Sequence, residues 1–305
     1  MDDRRQIQEF LASRRARISP HSVGLPVAGR KRRVPGLRRE EVAALAGLSV
    51  DYYIRLERGA LTNASDSVLA SIARALRLDA AEQAHLIDLA RAARPSAASR
   101  SHRTPPTTIA PQLQAVLDAL VGVPALVRSP TLDMIATNSL GRALYSVLYT
   151  GPSTGPRTGP RPSPSLARFT FLDPQARQFW RDWDQVADDL TAQLRAAAGA
   201  NPLDRSLTDL VGELSTRSDT FGDLWARHDV RALGRGVKRF RHPVVGALEL
   251  RYDLMRLTAE PGLTMITYTA EPGTASHDSL SLLASWAASQ DSDIEEDKSA
   301  GSRHD

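Results

Sequence analysis

Residues 38–59 constrain this chain most tightly. Within one short stretch they specify two helices and the turn that joins them. Val42, Ala43 and Ala46 recur at helical spacing. Glu40 and Glu41 stand in a first turn, where the helix dipole favours negative charge. Gly47 occupies the position that needs a left-handed backbone, which glycine adopts at little cost. Ser49 is a good N-cap for a second helix, Tyr53 and Leu56 share its inner face, and Gly59 ends it. The pattern predicts a helix-turn-helix, whose second helix enters the major groove of DNA. The bland alternative is an ordinary pair of antiparallel helices.

Charge distribution favours the DNA reading. Residues 1–110 hold 19 Lys and Arg against 11 Asp and Glu, a balance of +8. Residues 111–286 hold 18 of each, and residues 287–305 hold 2 basic and 6 acidic side chains, a balance of −4. Cations therefore gather on the segment that carries the helix-turn-helix, the expected footprint of a phosphate-binding surface. The chain has 305 residues, enough for two domains, and no cysteine. That composition excludes disulfides, thiol nucleophiles and Cys-ligated metal sites, and it fits a cytoplasmic protein. The charged N-terminal stretch has no apolar core of a signal peptide, and no apolar run is long enough to span a membrane.

Along the chain, residues 3–17 predict a helix with Ile7, Phe10 and Leu11 inward. Residues 18–36 read as a loop that contains the cation run Arg30, Lys31, Arg32 and Arg33, a candidate for phosphate or minor-groove contact. Helices are expected over 68–76 and from about Asp79, so residues 1–93 form an all-α module. Residues 94–111, rich in Ser, Thr and Pro, predict a linker. Residues 112–288 predict an α+β domain with an antiparallel sheet of about five short strands: 124–128, 134–137, 237–240, 246–252 and 264–269. Helices are expected over 113–121, 138–145, 174–198, 203–216 and 276–288. The Thr-Gly-Pro repeats of 150–165 predict a disordered insertion, and the acidic residues 289–305 a disordered tail.

On the helix after Ser49, the residues facing outward are Val50, Asp51, Ile54, Arg55 and Arg58. Val50 suits a thymine methyl, Asp51 a cytosine amino group and Arg55 a guanine edge. Asp51 equally suits dipole complementation at a helix start. Arg39 and Arg58 are placed for backbone phosphates, which position without specifying. Such a module buries little DNA alone, so a homodimer on a palindromic operator, with half-sites about 34 Å apart, is expected.

These residues carry a family resemblance. Pro35 to Ala43, Ala46 to Tyr53 and Arg55 to Gly59 closely resemble the MmyB-like transcription regulators, within the larger Xre/Cro-type helix-turn-helix class. Further carriers are Phe171-Leu172-Asp173-Pro174, Phe221 with Leu224-Trp225-Ala226, His228 and Val230, Lys238 with His242-Pro243 and Val245-Gly246, and Tyr268 with Ala270-Glu271-Pro272-Gly273. The Thr-Gly-Pro insertion, and the turn after Gly59 without its usual arginine and glycine, depart from the family pattern. The resemblance implies a bacterial regulator with a PAS-like C-terminal ligand-binding domain whose ligand class is fatty acids. On the DNA side it adds Arg38, Ser49 and Tyr52 to the residues already named.

For the second domain the candidate ligand lining is Trp180, Trp183, Phe221, Trp225 and Tyr252, with His228 as a candidate carboxylate anchor. Core filling is the competing reading for the aromatics, and a hydrogen bond to backbone for His228. No serine lies in a Gly-x-Ser-x-Gly elbow, no His-Glu-x-x-His occurs, and the seven histidines lack metal-ligand spacing. Neither an enzyme, nor a metal, nor a cofactor is therefore expected. The expected function is DNA-binding regulation by a small apolar effector. The alternative is a DNA-binding protein whose second domain only dimerises or binds a protein partner.

Overall fold

The computed structural model describes residues 3–25, 36–62, 64–93, 108–149, 163–201, 204–229 and 234–301. Helices α1 (Asp3–Arg17), α2 (Arg39–Ala46), α3 (Val50–Glu57), α4 (Asp66–Ala75) and α5 (Ala80–Ala93) come first. Then follow α6 (Pro111–Ala119), β1 (Ala125–Arg128), β2 (Met134–Thr137) and α7 (Ser139–Leu144). Next are α8 (Leu166–Leu172), α9 (Ala176–Phe179), α10 (Trp183–Ala200), α11 (Arg205–Arg217) and α12 (Asp219–Ala226). The chain closes with β3 (Arg235–His242), β4 (Gly246–Arg256), β5 (Thr264–Thr269) and α13 (Ala275–Gly301).

Two compact units result. One comprises Met1–His102 with Thr191–Ala232, the other Arg103–Leu190 with Leu233–Asp305. A boundary in the Ser/Thr/Pro stretch alone therefore does not describe the division, because the chain also changes unit inside α10. The reason lies in packing. Ala196 joins the apolar core built by Ile7, Phe10, Leu11, Tyr53, Leu56, Ile72 and Leu86. The His85 ring lies on Gly199, where an added Cβ would sit 2.3 Å from its Cε1.

The second unit holds an antiparallel sheet in the order β2-β1-β5-β4-β3. On one face Ala125 and Val127 of β1 pack with Leu117 of α6 and Leu263. Opposed residues on paired strands share a face. The pairings Leu126↔Ile266, Arg128↔Thr264, Tyr252↔Tyr268 and Lys238↔Leu250 therefore put Arg128, Tyr268, Tyr252 and Lys238 together on the other face.

The single helix expected over 174–198 is instead α9 and α10 with a break at 180–182. Trp180 makes an isolated bridge with Phe240, and Arg181 donates its N–H to the Arg239 carbonyl at 3.0 Å. Pairing with β3 thus outcompetes continuation of the helix. Helices α8 and α12 were not expected. Ser165 and Ser218 cap them by accepting from the N–H groups of Arg168 and Phe221. Helix α13 continues to Gly301, through part of the tail expected to be disordered; residues 291–300 contain neither Pro nor Gly, so nothing local stops it. Most of the expected linker (94–107) and insertion (150–162) lies outside the described residues.

Candidate nucleic-acid interface and anion site

The helix-turn-helix forms from local rules. Glu41 reaches back to accept the Arg38 N–H at 2.6 Å, and the N–H of Leu48 bonds the Ala43 carbonyl at 2.9 Å around a left-handed Gly47. The Ser49 hydroxyl accepts from the Tyr52 N–H at 3.3 Å and starts α3. Tyr53 and Leu56 are wholly buried, while Val50, Asp51, Arg55 and Arg58 are exposed and Ile54 is half-buried. The Arg55 guanidinium stands 5.5 Å from the centre of the Tyr52 ring, a cation–π contact that restricts its swing.

Glu57 is the residue that sequence reasoning missed here. Its carboxylate is fully buried at the end of α3. One oxygen accepts from Arg15 of α1 at 2.9 Å, and the other from Arg39 at the start of α2. A buried carboxylate needs such partners. Arg39 is therefore fixed by Glu57 at a helix N-terminus, itself a favourable place for a phosphate. Arg38 pairs with exposed Glu40 at 3.2 Å. Arg30, Lys31, Arg32 and Arg33 lie outside the described residues.

In the second unit an unexpected group stands out. Lys238 and Arg128 are both buried on the same sheet face. Beta alternation puts Lys238 inward with Phe240 and His242, where an apolar residue is usual. The Lys238 ammonium lies 5.2 Å from the centre of the Trp180 ring and 5.5 Å from that of Tyr252. No hydrogen bond or ion pair supplements these ring contacts among the described residues. Burial pushes the Lys238 pKa down to about 8; the Arg128 charge lowers it further, and Asp189 acts against both. Burial likewise lowers the Arg128 pKa, an effect that the nearby Tyr268, Tyr145 and Tyr252 counteract. Tyr145 and Tyr268 share a 2.5 Å hydrogen bond between hydroxyls, and burial raises both phenols, Tyr268 to about 12. Gly236 opposes Tyr252 in the β3–β4 pair and leaves room for its ring. Two cations therefore sit beside rings and phenolic hydroxyls in a buried interior that also holds Asp189, an arrangement suited to holding a carboxylate.

The six expected ligand residues divide between the two units. Trp180, Trp183 and Tyr252 belong to the second unit; Phe221, Trp225 and His228 belong to the first. The Trp180 indole N–H donates to the Thr170 hydroxyl and that of Trp183 to the Thr170 carbonyl, and Trp180 packs among Tyr145, Phe179 and Phe240. In the first unit Trp225 stacks on Phe221 at 5.6 Å and carries the Arg195 guanidinium 4.0 Å from its ring centre. His228 Nδ1 lies 2.9 Å from Arg195 Nη1 and accepts its hydrogen. Burial, with the Arg195 charge second, pushes the His228 pKa down to about 4.

Among the described residues, no group of three or more His, Asp or Glu side chains could hold a metal ion. No helix there is long and apolar enough to cross a membrane. Comparison with known families gives two matches. Residues 109–283 match the MmyB-like transcription regulator ligand binding domain, and residues 9–86 match a helix-turn-helix domain. No curated protein matches the chain.

Proposed function

The chain belongs to the MmyB-like transcription regulators, and from that premise we propose that it is a one-component regulator whose effector is an amphipathic carboxylate, a fatty acid. It is a DNA-binding regulator with a ligand-binding domain. On our reading the full chain works in the cytoplasm as a homodimer on a palindromic operator. Arg55, Asp51 and Val50 face base edges, and Arg38, Arg39 and Arg58 face phosphates.

The observation that carries the effector reading is the pair of buried cations, Arg128 and Lys238. Two like charges in an apolar interior oppose each other and oppose burial. Buried Asp189 already favours the Lys238 charge without overcoming burial, and a bound carboxylate lowers the remaining cost of both. Charge-assisted hydrogen bonds of about 1.5–3 kcal/mol then fix its orientation, and each buried methylene adds about 0.8 kcal/mol. Trp180, Trp183 and Tyr252 supply lining; Phe221, Trp225 and His228 belong to the other unit. The rings of Tyr145, Phe179, Trp180 and Phe240 touch one another. Ligand entry therefore requires them to part.

Native mass spectrometry of the gently purified full chain, offered tetradecanoic acid or tetradecanol, tests this. The acid should bind and the alcohol should not, and Lys238→Met should weaken acid binding about 10- to 100-fold, the range set by one charge-assisted bond. Failure of the acid to bind would favour a second domain that serves only dimerisation or a protein partner.

A further inference from the structure

The segment from Trp225 to Asp229 has no part in either site, yet side chains from α1 and α10 converge on it. Arg195 of α10 donates to the Trp225 carbonyl and to His228 Nδ1. Arg14 of α1 donates to the His228 carbonyl and pairs with Glu82 of α5 at 2.9 Å. Arg17 of α1 pairs with Asp229 and donates to the Arg227 carbonyl at 3.2 Å. Glu9 of α1 stands 3.5 Å from His228 Nε2. Arg14 and Arg195 are almost completely buried. His228 itself has φ +55°, a left-handed conformation unusual for a residue with a side chain, which persists where surrounding contacts hold it.

This clasp differs in kind from the apolar packing of α1–α5. It consists of polar bonds that converge on one turn held in a left-handed conformation at His228. It grips α1 and α5 and leaves the outward residues of α3 exposed. Between Arg14 and Arg17 on α1 lies Arg15, which donates to Glu57 of the reading helix and to the Leu37 carbonyl. Glu57 in turn holds Arg39. Adjacent arginines of α1 thus touch the 225–229 turn on one side and, through Arg15 and Glu57, the reading helix and a phosphate-facing arginine on the other.

We propose that this turn and Arg195 form a regulatory clasp on α1, and that its closure sets the DNA affinity of the helix-turn-helix. The proposal rests on the effector reading for its trigger, since α10 carries Arg195 and begins in the ligand-binding unit. The clasp itself stands on the contacts within the first unit. Coupling requires an element with two arrangements that both sites bias, and the strained turn is that element.

Two full-length variants test it. Arg195→Met removes the bonds to the turn but keeps an apolar stem against Trp225. His228→Gly removes the ring acceptor and relaxes the left-handed backbone, so it threatens folding least. DNA selected from a random duplex pool on the wild type serves as the probe. Without ligand, both variants should bind it at least about fivefold more weakly, the lower end of a typical coupling free energy. Added tetradecanoic acid should change their affinity less than it changes that of the wild type. DNA affinities within twofold of wild type in folded variants would overturn the clasp. A wild type indifferent to the acid would count against the effector reading alone, because ligand-free affinities still decide the clasp.

Discussion

Lys238→Met should make the ligand-free protein more stable while removing the site's anchor. The variant keeps an unbranched side chain of similar length and discards the ammonium. In the folded protein that ammonium has its pKa lowered from 10.5 to about 8, chiefly by burial, then by Arg128. At about 1.36 kcal/mol per pH unit, keeping this lysine charged at pH 7 costs the fold about 3 kcal/mol. The folded pKa lies below the unfolded one. Between pH 8 and 10.5 the unfolded chain therefore holds a proton that the folded chain has released, and wild-type stability rises with pH across that window. Denaturant unfolding of both proteins at pH 7 and pH 10.5 reads the effect. The variant should lead by about 3 kcal/mol at pH 7, and the lead should vanish at pH 10.5. A variant less stable at pH 7, or a lead independent of pH, would refute the view that burial of the Lys238 charge costs more than Asp189 returns. Saturating acid should add stability to the wild type alone, because ligand that binds only the folded state stabilises it.

Other outcomes follow from the same structure. Ser49→Ala removes the cap on α3 and should cost about 1 kcal/mol, read by thermal unfolding; no loss would mean that the turn, not the cap, starts the helix. Arg55→Ala should relax base preference at one position by about 1–3 kcal/mol in a selection from random DNA, and an unchanged preference would remove Arg55 from the groove. His85 and His228 are pushed down to about 3 and about 4, mainly by burial and then by Arg195. Both folded values lie below the unfolded 6.5, so their contribution to stability is present above pH 6.5 and fades as pH falls towards 4. His85→Gln should flatten that acid limb in denaturant titrations at pH 7, 5.5 and 4; an unaltered slope would show that other groups set it.

What the sequence makes legible is what neighbours decide. The turn at Gly47, the cap at Ser49 and the inward Tyr53 and Leu56 all obey rules spanning a few residues, and they stand where those rules put them. Nothing local marks Glu57 as buried. Its partners lie 42 residues away at Arg15 and 18 away at Arg39, and no local pattern announces them. The break at Trp180 depends on Phe240, equally distant in sequence from any helix rule. Residues 191–229 carry ordinary helix signals; the fit of His85 on Gly199, and of Arg14 and Arg17 on the 225–229 turn, joins them to the first unit. Lys238 came closest to being legible. It occupies an inward phase of β3, but exposed Val237 beside it supplies the apolar residue that a reader expects to find inside.

The central claim joins the two units through function: an anion held by Lys238 and Arg128 alters how the helix-turn-helix binds DNA. The direct measurement is the affinity of full-length protein for its selected DNA, by fluorescence anisotropy, with and without saturating tetradecanoic acid. At an acid concentration that just saturates the wild type, its DNA affinity should change at least about fivefold, and that of Lys238→Met by clearly less. Acid that binds the wild type while leaving its DNA affinity unchanged would contradict it.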